Sequence, residues 1–317
     1  MPEPNQPMRA MRAATIDRRG RVSVRDVPVP PVGRREVRIA VDTSGVGSWD
    51  GSMRPGGRDP FVVPGSDGVG LVVAVGAGVR RFRADDLVYS YSYQNPKGGF
   101  HADLVVVAET KVARVPRGLG RKEAGAIATT GLTALQGVDD ALHVKRGERV
   151  IVHGASGGVG TLALQFAKWR GARVLATASG RDGVRLARRL GADVAIDGKQ
   201  EDLLEAARRF APGGVDAVLA FVGGKSLARC LDALKPRGGR LAYPNGVEPV
   251  PRKRRGVRFV VYDGLPGVKE FARLNRAVTG AKVKVPIAKS YELSRADDAY
   301  RFVRKGHVLG KVVLRIR

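Results

Sequence analysis

Residues 150–167 of the chain have the sequence VIVHGASGGVGTLALQFA. This pattern is typical of a buried strand that enters a glycine turn and leaves as a helix. Gly157 and Gly158 let the backbone approach a pyrophosphate, Gly160 lets the helix pack closely on the strand, and free amides at the helix start attract the anion. Because strand and helix patterns flank the glycines, we predict a dinucleotide-binding site and not a purely conformational turn.

The end of the next predicted strand, residues 173–181, bears on which dinucleotide is bound. A site that selects NAD usually places Asp or Glu about 20 residues after the turn, where it accepts from the ribose 2′-hydroxyl. Here Ala178 occupies that position and is followed by Ser179 and Arg181. A hydroxyl and a cation suit a 2′-phosphate, so we expect NADPH; the alternative is an ordinary exposed arginine and NADH.

The spacing of apolar residues changes twice along the chain on either side of this turn. Strand and helix patterns alternate from about residue 123 to 221, and such repeated units imply a parallel sheet covered by helices. Before about residue 115 the apolar residues alternate with period two, as in Val37–Val41, and strand patterns return after about residue 280. The sequence therefore predicts an α/β protein in which a strand-rich part flanks a Rossmann-like part.

Composition narrows the class of protein. The 317 residues are 43% hydrophobic and 27% charged, which is ordinary for a globular chain and too apolar for a disordered one. No run approaches the ~20 apolar residues of a membrane span, and the N-terminus lacks a secretory signal pattern, so we expect a cytoplasmic protein. A single cysteine, Cys230, excludes an intrachain disulfide framework.

The net charge of +26 is the unusual number, from 56 basic and 30 acidic residues. Lys and Arg supply most non-specific affinity for nucleic acid, so a nucleic-acid-binding protein is the alternative function. Aromatic residues are only 6% of the chain, which leaves few stacking platforms for single strands. The arginines are also scattered through helical patterns, so we expect any nucleic-acid binding to be non-specific.

Several further motifs occur in a fixed order around the glycine turn. They are Pro64–Gly70, Val75–Val79, Gly131–Ala134, Leu190–Asp193, Phe221–Gly224, Leu234–Gly239 and Gly310–Leu314. In order and spacing they resemble the medium-chain dehydrogenase/reductase superfamily, in its zinc-independent quinone oxidoreductase (zeta-crystallin-like) branch. The resemblance implies a GroES-like β domain built from residues 11–122 and 281–317, a Rossmann domain at 123–280, and a disordered extension at 1–10.

The resemblance also bears on a metal. Zinc-dependent relatives hold the catalytic ion with a Cys and a His at the positions that match Gly47 and Ser66 here. Neither residue is a zinc ligand, so we expect no metal. Without a Lewis acid to stabilise an alkoxide, the expected acceptor is one that delocalises its own negative charge, namely a quinone or an α,β-unsaturated carbonyl compound.

Candidate site residues follow from the matched motifs. The catalytic candidates are Asp50, which survives where Gly47 and Ser48 replace a typical Asn-Pro; Arg58; and Tyr91 as a proton donor. The cofactor candidates are Thr133, Ser156, Gly157, Gly158, Val159, Ser179, Arg181, Phe221, Val222, Asn245 and Lys311. The histidines are interpreted as structural.

A homodimer is implied by the resemblance alone, because the family often pairs subunits through the strand that matches Arg258–Tyr262. The basic run Arg252–Arg255 precedes that strand and is expected to follow a sixth Rossmann strand. It is either a solvated loop or a surface that attracts an anionic acyl carrier.

Overall fold

The computed structural model describes residues 10–317, so residues 1–9 of the predicted extension lie outside the described part, and Ala10 already belongs to the first strand. The first part of the chain is rich in strands. They are β1 (Ala10–Asp17), β2 (Val22–Pro28), β3 (Glu36–Val46), β4 (Phe61–Val62), β5 (Asp67–Val75), β6 (Leu87–Tyr91), β7 (Leu104–Ala108) and β8 (Val112–Arg114).

Helices and strands alternate in the remainder, except that β13 and β14 follow one another directly. They are α1 (Arg121–Gln136), β9 (Arg149–His153), α2 (Gly158–Trp169), β10 (Arg173–Ala178), α3 (Gly180–Arg189), β11 (Val194–Asp197), α4 (Leu203–Phe210), β12 (Ala217–Ala220), α5 (Lys225–Asp232), β13 (Gly239–Pro244), β14 (Val257–Tyr262), α6 (Val268–Gly280), β15 (Ile287–Glu292), α7 (Ala296–Arg304) and β16 (Lys311–Arg315). A short π-helical turn, Gly137–Ala141, follows α1.

The strands β9 to β14 form one parallel sheet in the order β11-β10-β9-β12-β13-β14. With β9 as the first strand, this is the doubly wound order of a dinucleotide-binding fold, so the predicted Rossmann sheet is confirmed. The strands read as continuous apolar runs because helices cover both faces of such a sheet. The sixth strand is β14 itself, so the placement of the basic run after a sixth strand was wrong: Arg252–Arg255 lies between β13 and β14.

The chain end returns to the first part of the molecule. Strand β16 pairs antiparallel with β3, where Val312 lies opposite Val46, and the larger sheet runs β15-β16-β3-β5-β6-β8, with β7 also on β3. A smaller sheet, β2-β1-β4, packs beside it. Both chain ends therefore build the GroES-like part, as the resemblance implied.

Helix α1 joins the two parts into one core. Every residue from Ala124 to Gln136 is buried, and the helix packs on β3 and β5 as well as on α2. A Cβ on Gly125 would lie 2.6 Å from the Thr43 carbonyl oxygen, so only glycine allows this approach. The close packing fixes the relative position of the two sheets. In the described part of the chain, no helix is long and apolar enough to cross a membrane.

Candidate active site

A cleft of about 520 Å³ lies between the two parts, at the carboxyl edge of the parallel sheet. Ligands of doubly wound sheets bind at this edge, where the strand order reverses. On the Rossmann side its walls are the glycine turn, the ends of β10 and β11, and the segment after β12. On the GroES-like side they are Val46–Trp49 and residues from the returning chain end, Val303 to Val312.

The glycine turn has the geometry that an anion needs. Gly157 precedes α2 in an extended conformation, and among residues 10–317 no side chain caps the helix, so its first amides are free to bind an anion. A Cβ on Gly160 would lie 2.1 Å from the Gly154 carbonyl oxygen, whereas one on Gly157 would meet nothing closer than 3.6 Å. Gly160 is therefore required for packing, and Gly157 leaves open space above the turn.

The returning chain end is anchored on this turn. The Gly310 amide donates to the Ser156 carbonyl oxygen at 2.8 Å, and Gly157 and Gly310 form a parallel bridge. Lys311 follows, is buried, and its Nζ donates to the Val46 carbonyl oxygen at 3.2 Å. The contact places a cation between the glycine turn and the end of β3.

Polar and basic groups surround the end of β10. Ser179 lines the cleft, and Arg181 is exposed on the first turn of α3, where its guanidinium has no hydrogen bond or ion pair with residues 10–317. Lys199, just after β11, and His307 also line this end. The His307 ring nitrogens lie 3.3 Å from Ser179 Oγ and 3.1 Å from Asp182 Oδ2. The site is therefore completed from both sides of the cleft.

Sequence reasoning did not select Lys199 or His307 as site residues. Lys199 could have been found, because the carboxyl ends of neighbouring parallel strands meet at one edge and β11 is next to β10. His307 had no comparable signal, since it comes from the other part of the molecule. Among the predicted cofactor residues, the cleft brings together Ser156, Gly157, Gly158, Val159, Ser179, Phe221, Val222 and Lys311.

Three predicted cofactor residues do not line the cleft: Arg181, which is exposed beside it on the first turn of α3, and two whose side chains are held elsewhere. Thr133 is buried in α1, and its hydroxyl donates to the Thr129 carbonyl oxygen at 2.9 Å. Asn245 is exposed after β13, and its amide donates to Asp263 Oδ2 at 2.6 Å. Their local hydrogen bonds account for both side chains, so the cleft geometry does not support them as cofactor ligands.

The catalytic candidates Arg58 and Tyr91 also lie outside the lining. Arg58 is exposed on the loop before β4, away from any described hydrogen-bond partner. Tyr91 ends β6 and is half-buried; burial, with nearby carboxylates, raises the pKa of its hydroxyl to about 12. A phenol of this pKa is a weak proton donor at neutral pH. The geometry therefore does not favour either residue in catalysis.

Asp50 lies directly behind the cleft wall and does not face the cleft. Its Oδ2 accepts from the Gly47 amide at 2.6 Å, and its Oδ1 has no hydrogen-bond partner among residues 10–317. Complete burial raises the pKa of this carboxyl to about 7, although the Gly47 amide and the charge of Lys311 oppose the shift. The carboxyl therefore holds the Gly47 backbone in place, and its pKa lies close to neutral pH.

His101 is the buried neighbour of this carboxyl. Burial lowers its pKa to about 4, so the ring is neutral at pH 7 and its 3.9 Å contact with Asp50 is not an ion pair there. The ring contacts the Gly45 carbonyl oxygen at 3.1 Å and the Tyr300 hydroxyl at 2.7 Å. Because a carbonyl only accepts, Nε2 carries the proton and Nδ1 accepts from Tyr300.

The indole of Trp49 occupies the space beside Gly47 and Ser66, the two residues that match metal ligands. Trp49 Nε1 donates to Ser66 Oγ at 2.9 Å, and a Cβ on Gly47 would lie 2.5 Å from Trp49 Cε2. Within residues 10–317 no three His, Cys, Asp or Glu side chains are grouped to hold a metal ion. The residues present here therefore do not fit a tetrahedral zinc site.

Comparisons with known families agree with this architecture. Residues 33–117 match the alcohol dehydrogenase GroES-like domain, and residues 190–314 match the zinc-binding dehydrogenase family. A quinone oxidoreductase from Pseudomonas aeruginosa is 32% identical over 237 residues, which cover 74% of this chain and 72% of that protein. The chloroplast envelope quinone oxidoreductase homolog of Arabidopsis thaliana is 29% identical over 309 residues, 91% and 92% of the two chains.

Solved structures share the whole fold. An NAD-dependent alcohol dehydrogenase superposes with a TM-score of 0.88 at 31% identity, over 97% of this chain and 100% of that one. A mycobacterial protein complexed with NADPH superposes with a TM-score of 0.85 at 28% identity, over 96% and 100%.

A Rossmann sheet, a GroES-like part built from both chain ends and a cleft between them define an oxidoreductase of the medium-chain dehydrogenase/reductase superfamily. Within that superfamily the chain belongs to the quinone oxidoreductase family. The name of the family matched at residues 190–314 implies zinc, but Gly47, Trp49 and Ser66 leave no ligands and no room for the ion.

Proposed function

We propose that this chain is an NADPH-dependent, zinc-independent reductase that transfers a hydride to a quinone or to an α,β-unsaturated carbonyl acceptor. One observation carries the proposal: a single cleft joins a free helix N-terminus and Lys199, a cation without a side-chain partner among residues 10–317, to a wall without metal ligands, and Arg181 is exposed beside it. The quinone oxidoreductases among its relatives support the acceptor class.

The chain's own residues have distinct tasks in this proposal. The amides after Gly157 bind the pyrophosphate, Ser179 and Arg181 bind the 2′-phosphate, and Lys199 adds a second cation beside them. The side chains of Val46, Phe221 and Val222 exclude water from the reacting end. When bound, the nicotinamide supplies two electrons and one proton as hydride, and a solvent proton completes the reduction of the acceptor.

The experiment that tests the function is a screen of NADPH oxidation against quinones, alkenals, cyclic enones and enoyl thioesters. We expect oxidation that depends on added acceptor, saturates with it, and is faster with NADPH than with NADH at low cofactor concentration. If no member of the panel increases the oxidation rate above the rate without acceptor, the chain is not a reductase of this class.

The subunit arrangement is part of the proposal. Strand β14 is the outer strand of the parallel sheet, and Val261 on it is 51% exposed. An outer strand presents backbone groups that a second copy can pair with. We therefore propose a homodimer through β14, to be measured as molecular mass by light scattering, and keep the cytoplasmic location as a prediction.

The alternative, a protein that mainly binds nucleic acid, has no comparable site in its favour. Many of the cations are engaged in ion pairs with carboxylates. Examples are Arg35 with Glu109, Arg114 with Asp86, Arg170 with Asp139 and Arg273 with Asp140. The other basic residues are spread along the sequence, which suits a solvated surface better than a specific interface.

A further inference from the structure

Trp49 lines the cleft but has no role in the proposed function. It is half-buried on the loop after β3 and lines the cleft together with Val46 and Thr130. The hydrogen bond from its Nε1 to Ser66 Oγ fixes the ring, and Gly47 provides the space into which the ring packs. The indole is therefore a rigid wall at the position where related enzymes hold an ion.

The wall continues to the surface through a second ring. Tyr93 contacts Trp49 edge to face, with ring centroids 6.1 Å apart and planes at 85°, and Tyr93 is 48% exposed. The same cleft is also lined by aliphatic side chains, among them Val303, Val308 and Val312. A cleft lined by an indole and by aliphatic groups fits a flat, conjugated molecule.

We propose that Trp49, held by Ser66 and extended by Tyr93, is the specificity-determining residue of the acceptor site and selects flat aromatic quinones over aliphatic unsaturated carbonyl compounds. The inference rests on the proposed function and narrows its acceptor class. A flat ring gains an aromatic contact with the indole that a flexible alkenal cannot match, and such a contact changes affinity by about 2- to 10-fold.

The first test compares two substitutions that both remove the indole N–H. Trp49→Phe keeps an aromatic ring, and Trp49→Leu replaces it with an aliphatic group. Relative to Trp49→Phe, we expect Trp49→Leu to raise the KM for 1,4-naphthoquinone by about 2- to 10-fold and to change the KM for trans-2-hexenal by a clearly smaller factor. Equal changes for quinone and alkenal would overturn the inference.

The second test reads binding without turnover. The chain has two tryptophans, and Trp169 lies at the far end of α2, roughly 16 Å from the glycine turn at a helical rise of about 1.5 Å per residue. Trp169→Phe makes Trp49 the only tryptophan emitter, and with NADP⁺ bound no hydride is available to reduce a quinone. We expect 1,4-naphthoquinone to quench this emission saturably.

The matched control is Trp49→Phe, which leaves only Trp169 emitting and should show no saturable quenching. Similar saturable quenching in both proteins, or in neither, would refute the inference. The two tests also separate it from the proposed function. Saturable quenching of Trp49 without NADPH oxidation would contradict the reductase but keep the quinone site. Acceptor-dependent NADPH oxidation that is the same in both Trp49 variants would support the reductase function and refute the role of Trp49.

Discussion

At the scale of single residues, cofactor preference depends on the end of β10. Arg181 is exposed there without a partner among the described residues, beside Ser179. We predict that Arg181→Ala lowers NADPH affinity at least about tenfold and leaves NADH affinity unchanged, because a charge-assisted hydrogen bond contributes ~1.5–3 kcal/mol. Titration of each cofactor measures this, with Arg185→Ala, one helical turn further on α3, as the control. Equal affinity of the parent protein for NADPH and NADH would contradict the assignment.

The buried carboxyl of Asp50 should make the stability of the fold depend on pH. Its folded pKa of about 7 exceeds the usual 3.8, so the folded chain keeps a proton that the unfolded chain loses between about pH 4 and 7. The stability that this group contributes therefore falls as pH rises through that window. His101, with its pKa lowered to about 4, acts in the opposite direction, so only a comparison with Asp50→Asn isolates the carboxyl.

The measurement is urea unfolding of parent and Asp50→Asn at pH 5, 6, 7 and 8. An Asn oxygen can still accept from the Gly47 amide but cannot ionise. We expect the free energy of unfolding of Asp50→Asn, minus that of the parent, to increase as pH rises. A difference that stays constant from pH 5 to 8 would show that Asp50 does not titrate in this range.

A third prediction concerns zinc binding at Gly47 and Ser66, the residues that match metal ligands. Because Trp49 fills the space beside Gly47 and hydrogen-bonds Ser66, zinc should not bind there. Elemental analysis after incubation with zinc and removal of free ion should find less than one zinc per chain, and chelators should leave acceptor-dependent NADPH oxidation unchanged. Activity lost to a chelator and restored by zinc would disprove this expectation.

At the scale of elements, the glycine turn and α2 separate stability from binding. A Cβ on Gly160 would overlap the Gly154 carbonyl oxygen, so Gly160→Ala should lower the free energy of unfolding by about 1–3 kcal/mol. A Cβ on Gly157 meets nothing closer than 3.6 Å, and in the proposed function the amides that follow Gly157 bind the pyrophosphate. Gly157→Ala should therefore keep stability and weaken cofactor binding. Urea unfolding and cofactor titration of both variants check this, and equal loss of stability in both would contradict it.

At the scale of the whole molecule, the charge of +26 is expected to act only through its long-range field. Affinity for nucleic acid should be sequence-blind and fall steeply with salt, because counterion release drives it. Replacing Arg252, Lys253 and Arg255 with Ser should reduce that affinity and leave quinone reduction unchanged. Arg254 is kept because it donates to the Leu234 carbonyl oxygen. Sequence-selective binding at physiological salt that competes with NADPH would instead favour the nucleic-acid function.

Local sequence patterns were enough to predict the dinucleotide-binding fold. The glycine turn at 154–160 and the alternating strands and helices could be predicted because they depend on local periodicity and on residues adjacent along the chain. The same local pattern placed Ser179 at the cleft, and the role of Arg181 stays a prediction. The resemblance added the return of the chain end and therefore Lys311. It also suggested Thr133 and Asn245, whose local hydrogen bonds no motif could predict.

The rest of the cleft depends on contacts between residues that are far apart in the sequence. His307 meets Ser179 across 128 residues, Trp49 meets Ser66 and covers Gly47, and Asp50 turns its carboxyl into the core behind the wall. Periodicity predicts which face of an element is buried, but not which side chain from another element fills the space opposite. That choice is made when the returning strand β16 pairs with β3 and α1 packs against both sheets, since close packing leaves one arrangement for side chains far apart in sequence.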